Sequence, residues 1–400
     1  MITTPQVPAR WSFAIFAFTL IAFVVESQLT QYLQTNLGYR QPFFIFYLVH
    51  SSFAVIFPCH LLYLTATTKH SAPALVNGLV ISLTNHLALH QSRSAPSKFP
   101  RFQFLRLILA LTFGITCPAL LWFCAISLAS VSDVTAIWNT NAFFAYLMTF
   151  RFKWEPRKFF AVSLATVGVL VVVYGGSTST NVDGTPSIEK RASIKPSAPL
   201  VGDLLTLVAS IGYALYQVLY KKYAALPSDP ELVAEADYEH LPANDDSPGT
   251  EYDEASVAFD TEDAVYPPPF GLHPNLLTSA IGLCTLGLLW VFIPVLHFTG
   301  VELFLLPPSL GTVFTIVGIA CTGVVFNAGF MVLLGVWGPI IVSVGNLLTI
   351  VLVFISDIVF GAGVEAVTLG GLVGSAIIVA AFGVLVYDMM DKRRRAVAPN

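Results

Sequence analysis

The sequence predicts an all-α polytopic membrane protein: ten transmembrane helices arranged as two inverted five-helix repeats. Composition, the spacing of apolar runs and the sorting of bases between loops carry that prediction. Of 400 residues, 55% are apolar and only 11% charged, where a soluble domain carries about 25% charged. Mean hydropathy is +0.73. The apolar residues gather into runs of about 20, enough for a helix to cross a hydrocarbon core roughly 30 Å thick. The net charge of −4 conceals an asymmetry, since thirteen of the 24 acids lie between Asp229 and Asp263. No basic domain exists to neutralise phosphates, which argues against a nucleic-acid partner.

Taken in order, the runs are Trp11–Leu29, Pro42–Thr65, Leu105–Ser127, Val134–Phe150, Phe159–Gly175, Leu200–Tyr220, Leu276–Phe298, Leu310–Leu334, Pro339–Val359 and Leu369–Tyr387. Another stretch, Pro73–Leu89, is apolar but short and holds Asn77, Asn85 and His86. It reads as an interfacial helix or buried loop. Arg10 precedes the first run and no small-residue cleavage site follows, so this run is expected to stay as a span. With ten spans and both termini in the cytosol, sixteen bases fall on the cytosolic side and four outside. That bias is the positive-inside pattern.

The first repeat covers 1–176, with a cytosolic loop at 66–104. A non-cytosolic loop at 177–198 leads to span six at 199–225. Residues 226–271 are acidic and Pro-rich, too poor in apolar surface to fold, and read as a disordered cytosolic linker. Spans seven to ten occupy 272–390, and 391–400 is a basic cytosolic tail. The linker leaves five spans on each side, so a duplicated second half enters the membrane in opposite orientation. Ala165–Val171 in span five echoes Ala380–Val386 in span ten. Inverted repeats are a transporter architecture, with solute held near the midplane.

Polar side chains inside spans should face a cavity or another helix. Span four carries Thr135 and Asn139 on one face, and span nine carries Ser343, Asn346 and Thr349 as one stripe. The two spans are equivalent under the repeat, so Asn139 and Asn346 are candidates to face each other around a solute. In span six, Tyr213 and Tyr216 offer rings to stack on one; interhelical packing is the competing role for all of these. Glu26, Asp133, Asp203 and Asp357 fall at non-cytosolic ends of spans and form a candidate vestibule for protons or cations. Asp133 and Asp203 begin helices, where capping is an alternative; Glu26 and Asp357 end them, where the helix dipole disfavours a carboxylate. His50 and His60 in span two either join a proton path or serve structure.

Several classes are excluded or disfavoured. The five cysteines lie in apolar runs with no CxxC or Cys/His spacing, against a disulfide framework or zinc site. No HExxH, GxSxG or Gly-rich P-loop occurs, so the chain reads as a non-enzyme with no metal, cofactor or ATP drive. No Lys or Arg lies in the interior of a span, Arg106 and Arg151 standing at ends, which counts against a pyrophosphate-bearing solute. Gly370–Gly374 with Ala376 and Ala380 in span ten, and Ala161 with Ala165 in span five, form small-residue stripes. They suit close packing within the chain or a homodimer seam.

Ser27–Tyr32 followed by Gln41-Pro42-Phe43-Phe44, Ser132–Thr135 with Asn139–Phe144, and Leu348–Val351 with Ser356-Asp357 together resemble motifs of the drug/metabolite transporter (EamA-like) superfamily. The likeness is to its solute carrier 35 F-type and thiamine-repressible branch. Pro199–Tyr216 is similar to the start of that branch's second half. The family's first-span Glu falls at Gln28 here, its Lys at Gln41 and its ninth-span Pro at Val351; Asp357 matches. The resemblance implies ten helices, alternating access and an endomembrane address, vacuolar or endosomal first and Golgi second. Tyr238–Leu241 in the linker fits a tyrosine-based sorting pattern. The functional expectation is a secondary transporter of a small organic solute, cationic or neutral. A Golgi nucleotide-sugar antiporter and a non-transporting scaffold or receptor are the alternatives.

Overall fold

The computed structural model describes residues 9–89, 99–129, 131–150, 155–175, 198–226, 264–360 and 368–397. All regular structure among them is helical, without a strand. The expected linker, the loop at 177–198 and the end of the tail fall almost wholly outside the described residues, Tyr238 included.

Eight helical segments are long and apolar enough to cross a bilayer: Trp11–Gln34, Pro42–Thr67, Arg101–Trp122, Pro156–Tyr174, Leu200–Ala224, Leu272–Thr299, Leu310–Ser356 and Leu369–Asp391. The chain is a multi-pass membrane protein. Two features separate this count from the expected ten. The expected fourth span is divided into helices of 9 and 10 residues, each too short to cross alone. The expected eighth and ninth run on as one segment of 47 residues. Large side chains on the outer surface include Phe18, Phe113 and Phe314, the last two 71% exposed. Such a belt is sustainable against lipid and a liability in water.

In chain order the helices are α1 (Ala9–Thr35), α2 (Pro42–Ser52), α3 (Ile56–Thr67), α4 (Ala72–Leu89), α5 (Arg101–Leu128), α6 (Val131–Asn139), α7 (Asn141–Phe150), α8 (Pro156–Gly175), α9 (Pro199–Leu219), α10 (Leu272–Leu288), α11 (Phe292–Thr299), α12 (Leu310–Asn346), α13 (Leu348–Phe360) and α14 (Leu369–Val397). A 3-10 turn at Phe53–Val55 joins α2 to α3, and another at Leu289–Val291 joins α10 to α11. Each stands three residues before a proline, Pro58 and Pro294. A proline cannot donate to the carbonyl four residues back and its ring crowds it. The Ala54 carbonyl, released this way, accepts instead from Ser279 Oγ of α10.

The most extensive helix pairings are α8 with α14, α1 with α12 and α5 with α9. Between α8 and α14 the backbones almost touch: a Cβ added to Gly374 would stand 2.6 Å from the Gly168 carbonyl oxygen. Ala161 and Ala165 pack with Ile378, Ala381 and Leu385 in the same core. The fifth and tenth predicted spans therefore pack on each other through Ala161, Ala165 and Gly374, while Ala376 and Ala380 are exposed.

The stretch read as an interfacial helix or buried loop is the helix α4. Leu75 and Leu79 pack with Leu64 and Leu272, and Val265 N–H donates to the Ala74 carbonyl at 3.0 Å. Leu75, Leu79, Ser82, Leu83 and His86 are buried along one face at the 3.6-residue period of a helix, and Thr84 on the opposite face is buried as well.

Candidate functional site

The break between α6 and α7 falls at Thr140. Its N–H donates to the Ile137 carbonyl at 3.1 Å, and Phe143 N–H donates to the Thr140 carbonyl at 2.9 Å. Both bonds skip three residues instead of four, so the helix overwinds for one turn. The break between α12 and α13 falls at Leu347 and repeats that pattern. Leu347 N–H donates to Val344 and Ile350 N–H to Leu347, both at 3.1 Å. Asn139 is the last residue of α6 and Asn346 the last of α12.

Side chains complete the first break. Asn139 Nδ2 donates to the Thr135 carbonyl and Asn141 Nδ2 to the Trp138 carbonyl, both at 2.8 Å. Thr140 Oγ1 lies 3.2 Å from Ser210 Oγ on α9, and Ser210 Oγ donates to the Trp138 carbonyl. At the second break Thr349 Oγ1 donates to the Asn346 carbonyl at 2.6 Å. Asn346 is half-buried, and none of these bonds uses its carboxamide.

Tyr213 and Tyr216 sit on the inner face of α9 within a continuous run of rings. Tyr213 lies nearly flat against Trp138, centroids 5.1 Å apart and planes 27° from parallel. Tyr216 and Phe330 flank Tyr213 at 6.1 and 6.4 Å. Phe330 meets Phe326, which meets Phe23 on α1. Ser343 Oγ donates to Gln217 Oε1, which joins the ninth predicted span to the sixth. Gln217 and Trp138 are central here and are not among the candidates named from sequence. Their signal was register: Gln217 lies four residues after Tyr213, on the same helix face, and Trp138 immediately precedes Asn139.

The rings meet each other with little room between them. A cavity of about 360 Å³ opens nearby, lined by Ile137, Thr140, Phe143, Phe144, Ser163, Thr166 and Leu207. Asn139, Tyr213, Tyr216 and Asn346 do not line it.

The four acids separate into different settings. Asp133 accepts from Tyr174 Oη at 2.7 Å, and Asp203 lies close enough for Asp133 to repel its charge. Asp203 is the fifth residue of α9, past the capping position, which Ala198 holds. Glu26 is elsewhere. Its Oε1 lies against Gly323 of α12, where a Cβ would come within 3.2 Å of it, and its Oε2 is buried without a partner. Asp357 is on α13, with its side chain outside the described residues. His50 is held for structure, Nδ1 against the Phe46 carbonyl and the ring 4.0 Å from that of Phe46. His60 Nδ1 pairs with Asn275 Nδ2 at 2.8 Å.

At the α2 entrance, Glu302 accepts from the N–H groups of Phe43 and Phe44 at 2.9 and 3.1 Å. A carboxylate there satisfies orphan donors and meets the positive end of the helix dipole. Tyr39 Oη donates to the Leu305 carbonyl at 2.8 Å. Burial and the nearby Glu302 charge push the Tyr39 hydroxyl above its ordinary pKa.

Helices interrupted in mid-course, with polar side chains gathered at the interruptions, are a feature of membrane transporters. No family model matches the chain. It is 22% identical over 385 residues to an uncharacterized transporter of Schizosaccharomyces pombe, with 94% of each chain covered. A protein of known crystal structure superposes with a TM-score of 0.56 at 12% identity, covering 97% of this chain and 99% of its own. At that identity the likeness speaks to fold alone.

Proposed function

We propose that the protein is a secondary transporter of a small organic solute, cationic or neutral, and that two inverted five-helix halves give it alternating access. The observation that carries this reading is the matched pair of helix breaks at Thr140 and Leu347. Helices interrupted at the same place in each half gather polar side chains at the midplane, where such transporters hold their solute. The yeast relative's description as a transporter supports the same general role.

Further matches support the repeat. If spans one to five correspond to six to ten, then α2–α3 corresponds to α10–α11, and both carry a 3-10 turn three residues before a proline. The pairing of spans one and eight corresponds to that of six and three, and spans five and ten pair with each other. Matched turns stand 236 residues apart in spans two and seven, but matched breaks only 207 apart in four and nine. The difference approximates the stretch from α4 to α5, so α4 reads as an addition to the first half, outside the ten spans.

In this reading Thr135, Asn139, Tyr213, Tyr216, Ser343, Asn346 and Thr349 line the solute path. The acids couple it to a proton or cation gradient, with Glu26 and Asp357 as the coupling candidates. An endomembrane address, both termini cytosolic, completes the proposal. Uptake into proteoliposomes across labelled organic cations and neutral solutes is the test. Saturable uptake of one class supports the reading, and none across the panel removes it. For coupling, Glu26→Gln and Asp357→Asn vesicles are compared with and without an imposed pH gradient. The gradient's stimulation should vanish in one of them while solute binding persists; stimulation equal to wild type in both dismisses these carboxylates.

One observation favours a second reading. The rings around Tyr213 are packed, with Tyr216 buried, as a non-transporting scaffold or receptor would keep them. A Tyr213→Cys side chain that stays unreactive to a membrane-permeant thiol reagent, with solute present and absent, would favour the scaffold.

A further inference from the structure

On α9, Tyr213, Tyr216, Gln217 and Tyr220 fall within an arc of about 100°. Gln217 is completely buried. Ser343 engages its Oε1, and its Nε2 faces the Tyr213 hydroxyl without closing a hydrogen bond of normal geometry. One turn further on, the Tyr220 hydroxyl is also completely buried and without a partner. Buried amides and phenols are almost always hydrogen-bonded in folded proteins, and in a bilayer no water is at hand to replace a lost bond. Two such donors on one helix face stand beside three rings lying nearly parallel to Tyr213, which places polar capacity and flat apolar surface together.

We propose that this face is the recognition wall of an occluded binding site for a neutral, planar, ring-bearing solute with a hydrogen-bond acceptor on its edge. The ring enters between Trp138 and Tyr213, and the acceptor takes the Gln217 Nε2–H. The site deepens the transport reading and rests on it. Parallel aromatic faces select a flat π system over a saturated ring. With Gln217 Oε1 already engaged, the capacity left on the amide is a donor's, so the ligand supplies an acceptor such as a ring nitrogen or carbonyl. A cation brought to that N–H would meet the positive end of its dipole. Entry requires Trp138 to part from Tyr213 by the thickness of a ring. Trp138 sits two residues before the break at Thr140, where α6 is free of the regular helical ladder and tied to α9 through Ser210.

The test uses the purified full chain in micelles with adenine, uracil and nicotinamide as flat, acceptor-edged probes. Inositol serves as the saturated ring and choline as the cation. At least one flat probe should raise the melting temperature and quench the fluorescence that Trp138→Phe removes. Gln217→Met should weaken that probe's binding at least tenfold while the variant still unfolds cooperatively, although Ser343 loses the acceptor it has in Gln217 Oε1. Should the Met variant misfold, Gln217→Leu replaces it, and quenching titrations on the wild type stand by themselves. The proposal is overturned by flat probes that neither shift nor quench the wild type. It is equally overturned by a folded Gln217 variant that binds as wild type does, or by inositol or choline binding as well as the flat rings. Binding without vesicle uptake would remove transport and keep the site. Equal uptake of the probe by wild type and Gln217→Met would remove the site and keep transport.

Discussion

The break at Thr140 and the break at Leu347 share a backbone path and differ in what holds them. At Thr140 the work falls to polar side chains: Asn139, Asn141 and Ser210 bond to the carbonyls of Thr135 and Trp138. At Leu347 it falls to burial, with Val344 and Leu347 enclosed in a core with Ile340, Ile378 and Ala381. One polar bond, from Thr349, assists. The comparison teaches that backbone shape can be kept while the chemistry enforcing it changes. The first break can be undone by competition for hydrogen bonds, the second only by separating packed surfaces.

Substitutions at each break sharpen that contrast. The largest effect belongs to Leu347→Ala, which empties a site 1% exposed. It should cost about 2–5 kcal/mol in reversible unfolding from mixed micelles, the range for a buried Leu truncated to Ala. A loss under about 1 kcal/mol would mean that burial does not hold the second break. Ser210→Ala removes the ties from α9 to Thr140 and to Trp138. At about 0.6 kcal/mol for each such contact in membranes, its cost should be about 1 kcal/mol. Next comes the coupling between Thr140→Val and Ser210→Ala in a double-mutant cycle, expected near 0.6 kcal/mol. Additive losses would show that the two hydroxyls at 3.2 Å do not cooperate. Smallest is Asn346→Ala, within about 0.5 kcal/mol of wild-type stability, because its carboxamide is not among the bonds at the break. Uptake by that variant should nevertheless fall if Asn346 lines the path, which separates a solute contact from a structural one.

Much of this architecture is visible in the residues before any coordinates. Apolar run length marks most of the membrane helices, whereas Asn139 and Asn346, read from the sequence as facing a solute, also turn out to end helices at the breaks. The breaks themselves have no local mark, since Thr140 and Leu347 are neither glycine nor proline and overwinding is decided by the helices packed around them. A polar residue in an apolar run announces its cost but not its partner. Glu26 meets Gly323 across nearly three hundred residues of chain, a contact no short pattern encodes. Gln217 shares the register of Tyr213, but a single amide does not announce its partner, and it stands out only once its neighbours enclose it.

Gly338 has a further consequence. Its φ of 77° and ψ of 171° interrupt α12 in a region that is essentially glycine's alone. Nothing lies within 4 Å of a Cβ placed there, so an alanine would meet open space and still be refused by torsion. Were that residue helical, the 47 residues from Leu310 to Ser356 would form a single rod of about 70 Å, more than twice the thickness of a bilayer's hydrocarbon. The kink is made without a loop, by Gly338 and the proline that follows it, Pro339. One torsion angle thus decides whether those residues stand as a single rod or are bent within the thickness of a membrane.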